Sequence, residues 1–219
     1  MIIIVNVKAY AESIGSKLIS LVDACSKVRK DTGTDIRIAV PLTEISKAVN
    51  RGVPILAQHI DPIAPGKHTG YVTAEMIKLA GASGTLLNHS EHRLRLDVLE
   101  ESITRCHMVG LQVVACANDA LTGAAIGKLK PDLIAIEPPE LIGGKISVST
   151  AHPELISDSV KLITGKKVGR NVLVGAGVHT RADVLKAFEL GAGGVLVASG
   201  VVLAKDPERA LRELATDAR

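Results

Sequence analysis

A closed (β/α)8 barrel of minimal length, taking up residues 1–219 as one domain, is the fold this chain predicts, and three observations carry the prediction. Short apolar runs recur eight times, with segments of helical length between them. Hydrophobic residues make up 47% of the chain but aromatics only 1%, so the core has to be built from Val, Ile, Leu and Ala, which suits parallel strands buried on both faces. Spread over eight units, the residues leave about 27 per unit, little more than a short strand, a three-turn helix and two loops. The main alternative, an open doubly wound sheet, lacks its Gly-x-Gly-x-x-Gly turn after the first strand.

In chain order the predicted strands are Ile2 to Val7, Ile36 to Val40, Val53 to Ala57, Gly84 to Leu87, Leu111 to Ala115, Leu133 to Ile136, Val172 to Val174 and Val195 to Ala198. Between them, Ser16 to Lys30 places Leu18, Leu21, Val22 and Cys25 on one helical face, and Arg93 to Met108 does the same with Leu96, Leu99, Ile103 and Cys106. Ser13 or Ser16, Thr73 and Thr180 offer helix N-caps. Gly33, Gly81, Gly110 and Gly191 fall just past helix ends. One connection is too long to be a mere link: His59 to Tyr71, stiffened by Pro62 and Pro65, predicts a protruding arm that meets a partner.

Composition narrows the function. A net charge of +3 is mild, suited to drawing in a small anion and far from a nucleic-acid footprint. Cys25, Cys106 and Cys116 are odd in number and lack paired metal-ligand spacing, so they read as reduced thiols of a cytoplasmic protein. The opening Met-Ile-Ile-Ile-Val-Asn reads as a first strand, not a signal peptide, and no apolar run approaches a membrane span.

In a barrel of parallel strands the carboxyl ends converge on one face, so the residues just past each strand carry the functional signal. Asn6 and Lys8 close the first; two apart on a strand, they point to the same side, where Lys8 is placed to hold an anion and Asn6 to orient it. His89 comes after the fourth, close to a predicted helix start whose positive end disfavours an imidazolium. A metal site built from His89 and His92 is the rival reading there, but no third ligand has the expected spacing. Glu137 closes the sixth strand and opens Pro138 to Gly144, stiff at one end and permissive at the other, which suits a lid swinging on a hinge. Gly175-Ala176-Gly177-Val178 and Ala198-Ser199-Gly200 end the seventh and eighth strands. Small residues there let a backbone cradle a phosphate, though tight helix-strand packing would also require them. A base, an electrophile, a cation and a phosphate grip around one mouth suit proton abstraction beside a carbonyl in a small phosphorylated substrate.

Here the chain resembles the triosephosphate isomerase family, and in its brevity the short archaeal branch. The matching pieces are Asn6-Val7-Lys8, Thr69-Gly70, His89-Ser90-Glu91, Glu137-Pro138, Ile142-Gly143, Gly175 to Val178 and Ala198-Ser199. The resemblance implies that Glu137 is the base moving a proton between adjacent carbons of a triose phosphate and that His89 is a neutral electrophile, roles already established for this family. It further implies that Lys8 binds substrate, Asn6 orients the site, and Ile142, Gly143, Gly177, Ala198 and Ser199 hold the phosphate. Glu91 becomes a supporting partner of Lys8, and Pro138, Pro139, Glu140, Leu141, Ile142, Gly143 and Gly144 form the lid. No cofactor or metal is implied. A homodimer, or a homotetramer, is expected through the His59 to Tyr71 arm with Thr69 at its tip. Departures from longer relatives are Val5 and Val7 around Asn6, Glu140 in place of a lid Trp, and Ala198-Ser199 in place of paired glycines. Other barrel enzymes of sugar phosphates, an epimerase or a Schiff-base aldolase, and a catalytically idle phosphate binder are the competing readings.

Overall fold

The structure, a computed structural model, describes residues 1–138 and 151–215. The predicted lid residues Pro139, Glu140, Leu141, Ile142, Gly143 and Gly144 lie outside the described residues. Strands β1 (Ile2–Asn6), β2 (Asp35–Val40), β3 (Ile55–Ala57), β4 (Gly84–Leu87), β5 (Gln112–Ala117), β6 (Leu133–Ile136), β7 (Gly169–Val174) and β8 (Ala192–Val197) pair in parallel, each with its sequence neighbours. β1 also pairs with β8, Ile3 beside Val195 and Val5 beside Val197, so the barrel closes. All eight expected strands are present, with ends shifted by up to three residues.

Helices follow the strands as α1 (Gly15–Thr32), α2 (Ile45–Ala48), α3 (Ala74–Leu79), α4 (Leu96–Met108) and α5 (Ala120–Gly127), then α6 (Pro153–Thr164), α7 (Arg181–Glu189), α8 (Ser199–Val202) and α9 (Pro207–Leu214). Economy shows in α2 and α3, with only 4 and 6 residues. Thr73 caps α3, and Thr180 caps α7 in a reciprocal box with Asp183. The expected cap of α1 is corrected: neither Ser13 nor Ser16 serves. Ile14 holds the cap position without a side-chain bond, and the buried carboxylate of Glu44 reaches from the next unit to accept the Gly15 N–H at 3.2 Å.

Strand alternation splits the core in two. Ile4, Ala39, Leu56, Leu86, Val114, Leu133, Ala135, Leu173 and Leu196 fill the barrel interior. Their neighbours, such as Ile3, Val5, Ile38, Val113 and Ile134, face the helices. At the amino-terminal end the inward positions turn polar, where Arg37 donates to Asp35 at 2.7 Å and to Gln112 at 2.9 Å. At the other end the same inward parity runs through Asn6, Gln58, Asn88, Cys116, Glu137, Gly175 and Ala198. The barrel's own geometry therefore aims these residues into the mouth.

The long loop after β3 is held at its base, where Asp61 and Val72 exchange two hydrogen bonds, N–H to carbonyl at 2.8 Å and N–H to carboxylate at 2.7 Å. Beyond it, residues 64–71 are exposed without interruption, as a protruding arm requires.

Candidate functional site

The cleft at the carboxyl ends of the strands is lined by Asn6, Lys8, His89, Glu137, Ala176, Gly177, Val178, Ala198, Ser199 and Gly200, which sequence reasoning named, together with Tyr10 and His179, which it did not.

Glu137 continues the inward parity of Leu133 and Ala135, and its N–H donates to Ala117 O at 2.8 Å. The carboxylate is buried, and Oε2 has no hydrogen-bond partner among the described residues. Across the cleft, Oε2 lies 3.5 Å from Nε2 of His89, itself only 9% exposed in its side chain. A buried carboxylate oxygen left without a donor is costly in a structural role and expected of a group that waits for a proton. Behind it sits Gly175, where a Cβ would meet Glu137 Cγ and Oε1 at 2.7 Å. Beside it, the Cys116 thiol is pushed well above its ordinary pKa by burial and by the Glu137 carboxylate. Cys25 and Cys106, likewise free and buried, are pushed up to about 12 mainly by burial.

The reason expected for a neutral His89 is corrected. Helix α4 begins at Leu96, not Arg93, because the chain first makes a turn in which His92 N–H donates to the His89 carbonyl at 2.8 Å. α4 therefore starts seven residues after His89. Burial disfavours its imidazolium, but the carboxylates of Glu137 and Glu91 outweigh burial and hold the pKa above the ordinary value. The tautomer has a separate cause. The Glu91 N–H donates to His89 Nδ1 at 3.2 Å, so Nδ1 keeps its lone pair and a neutral ring carries its proton on Nε2, facing the cleft.

Lys8 is also not where strand alternation put it. β1 ends at Asn6, and Lys8 has a φ of 48°, a left-handed conformation uncommon for a side chain of this size. Two neighbours hold it there. Asn6 Oδ1 accepts the Lys8 N–H at 3.0 Å, and Gln58 Nε2 donates to the Lys8 carbonyl at 3.0 Å and to Asn6 Oδ1 at 3.2 Å. The ammonium lies 2.5 Å from Glu91 Oε1, the pairing expected of Glu91. Gln58 was overlooked, although it stands two residues beyond inward-facing Leu56.

At the far wall, Ala176 and Gly177 have φ values of 71° and 67°, the first of them strained for a residue with a side chain. Ala198 and Ser199 open the four-residue α8 beside them. His179 and Gly200 complete that wall. Among the described residues no group of three or more metal-ligating side chains assembles.

Sequence comparison agrees with this geometry. The family profile described as Triosephosphate isomerase matches residues 1–216. The triosephosphate isomerase of Methanocaldococcus jannaschii is 45% identical over 215 residues, covering 98% of each chain. That of Methanopyrus kandleri is 46% identical, covering 97% of this chain and 95% of its own. A crystal structure of the Bartonella henselae triosephosphate isomerase is similar with a TM-score of 0.68 at 20% identity, over 92% of this chain and 93% of that one, which speaks to the fold. A closed eight-stranded barrel, a carboxylate facing an imidazole across its mouth, and matches that span nearly the whole chain lead to one conclusion: this chain belongs to the triosephosphate isomerase family.

Proposed function

We propose that the chain, as one catalytic domain, interconverts dihydroxyacetone phosphate and D-glyceraldehyde 3-phosphate, the isomerisation shared by glycolysis and gluconeogenesis. The observation that carries the reading is Glu137 Oε2, buried without a hydrogen bond among the described residues and 3.5 Å from His89 Nε2. Glu137 takes a proton from the carbon bearing the hydroxyl, and the electron pair forms the enediolate. His89 donates from Nε2 to the substrate oxygens, and Lys8, oriented by Asn6 and Glu91, offsets their negative charge. Return of the proton from Glu137 to the neighbouring carbon, with the hydroxyl proton passing from the first substrate oxygen to the second, completes the exchange. Only protons move, so the reading calls for no cofactor or metal.

Backbone N–H groups at Gly177, Ala198 and Ser199 hold the phosphate, joined by Ile142 and Gly143 when residues 138–144 close. Closure shields the enediolate from water. The protein works in the cytoplasm; no helix among the described residues is long and apolar enough to cross a membrane. It pairs with itself through the arm from His59 to Tyr71. Supporting that pairing, a hollow lined by Pro41, Leu42, His59, Glu91 and His92 opens beside Lys8 and offers the arm of a second copy a seat.

A coupled assay on the purified protein with glyceraldehyde 3-phosphate, run beside sedimentation, tests both readings. Turnover by a dimer or tetramer is expected; clean protein without isomerisation would overturn the first, and a monomer the second. Glu137→Asp, which draws the carboxylate back by about 1.5 Å, should lose turnover far more than affinity for phosphoglycolate. Wild-type turnover in that variant would mean that Glu137 is not the base.

A further inference from the structure

His89 lines the cleft, yet strand alternation alone would turn it away. Leu86 and Asn88 share the inward parity of β4, whereas Leu87, and His89 after it, fall on the side that faces the helices. The residue between those two reverses this. Asn88 has a φ of 59°, the left-handed conformation, which asparagine enters at less cost than most residues with a side chain. A kink there, immediately after β4, returns the next residue to the mouth, where His89 Nε2 lies 3.5 Å from Glu137 Oε2.

The Asn88 side chain then fastens the turn that follows. Within that turn, the bonds from His92 N–H to His89 O at 2.8 Å and from Glu91 N–H to His89 Nδ1 at 3.2 Å set the local shape. Both are internal and leave its place in the barrel open. Asn88 supplies the tie. Its Oδ1 accepts the Leu94 N–H at 2.9 Å, closing the turn, and its Nδ2 donates to the Cys116 carbonyl at 2.9 Å, anchoring the turn to β5. The next carbonyl of β5, Ala117 O, accepts the Glu137 N–H at 2.8 Å. Electrophile and base are therefore hung from consecutive carbonyls of one strand.

We propose that Asn88 is a positioning residue, whose left-handed backbone and bridging amide set where His89 stands relative to Glu137 and carry Glu91 to Lys8. Asn88 is not among the residues that line the cleft, so it acts through the turn. The inference rests on the isomerase reading and adds to it a residue that touches no substrate atom.

Two substitutions separate its parts. Asn88→Gly keeps the left-handed backbone and loses both amide bonds. Asn88→Asp keeps an acceptor for the Leu94 N–H but has no donor for the Cys116 carbonyl. A loosened turn lets His89 drift, so kcat of Asn88→Gly should fall at least about tenfold. Phosphoglycolate affinity should move far less, because Gly177, Ala198 and Ser199 are untouched. Nitrogen-15 resonances of the His89 ring, recorded on the full chain at a pH where the ring is neutral, give a readout that a loss of stability alone would not move. The wild type should show one tautomer, with the proton on Nε2, and Asn88→Gly a mixture of both as the Glu91 N–H leaves Nδ1. Asn88→Asp, its turn still closed, should keep the single tautomer while losing turnover.

A folded Asn88→Gly with the wild-type tautomer and kcat within about threefold of the parent would overturn the proposal, as would equal losses of turnover and phosphoglycolate affinity. Should Asn88→Gly not fold, unchanged kcat in Asn88→Asp would overturn it instead. Turnover by the wild type beside an unaffected Asn88→Gly removes Asn88 alone. A wild type without turnover removes the isomerase reading, and the tautomer comparison still decides whether Asn88 places His89.

Discussion

Gly175→Ala puts the position of the base to the test without touching the base. The new Cβ would lie 2.7 Å from both Cγ and Oε1 of Glu137 and 3.0 Å from its Cδ. Carbon contacts settle at roughly 3.5 to 4.0 Å, so the carboxylate has to retreat by about 1 Å. Alanine itself is acceptable there, because the backbone of Gly175 lies outside the left-handed region and its N–H to Ile136 O bond of 2.9 Å is retained. Overpacking at this contact should cost about 1–3 kcal/mol of stability, partly offset by the stiffer unfolded chain. A base misplaced by about 1 Å should lower kcat about 100-fold, or roughly 2.7 kcal/mol of barrier. Phosphoglycolate affinity should change less than about threefold, since Gly177, Ala198 and Ser199 are untouched. The assay is coupled turnover beside inhibitor titration, with a melting curve to show that the protein is folded. A folded variant with kcat within about threefold of the parent would refute the claim that Glu137 must stay where Gly175 admits it.

Two further perturbations address the groups behind the cleft. Glu91→Gln removes the partner that holds the Lys8 ammonium; because Glu91 is 55% exposed, the melting temperature should barely move, while kcat should fall about tenfold as Lys8 loses its place. Unchanged kcat would show that Lys8 needs no such support. For His59, burial and the His92 ring, tilted against it at 4.2 Å between centroids, hold the pKa below the ordinary value despite Asp61. The unfolded chain then binds this proton first, so His59 should cost stability as the pH falls from about 6.5 toward its folded pKa. His89, whose pKa is raised, acts in the opposite sense, contributing stability below about pH 6.5 that is lost as the pH rises through its folded pKa. The melting temperature of the wild type should therefore fall faster on acidification than that of His59→Gln, in which the His89 contribution cancels; parallel curves would refute the His59 assignment.

How much of this was legible in one sequence depends on how far each feature reaches. Strands were legible because their burial is written locally, as runs such as Leu133 to Ile136, and closure followed from counting eight of them. Thr73 and Thr180 were legible as caps because their bonds span three residues, to Met76 and Asp183. The α1 cap was not, because its acceptor, Glu44, lies 29 residues away and nothing local announces it. His89 marks a second limit. A helix after β4 was visible, but the turn that delays it to Leu96 moves the dipole away from the ring and leaves the Glu91 N–H to set the tautomer.

Gln58 and Lys8 bring out the remaining physical distinction. Inward parity can be read along any single strand, and strand alternation alone is enough to place Asn6, Gln58 and Glu137 in the mouth. What parity cannot express is a residue leaving it, as Lys8 does at a φ of 48°. That departure is held by Asn6 from within β1 and by a side chain 50 residues further on that reaches the Lys8 carbonyl from the end of β3, two places along the sheet. The strained backbone that presents the cation thus depends on a contact between strands that no local stretch of sequence announces. Residue types at the strand ends announce which chemistry is possible, while the barrel's cross-mouth contacts decide whether Lys8, His89 and Glu137 can address the same few atoms.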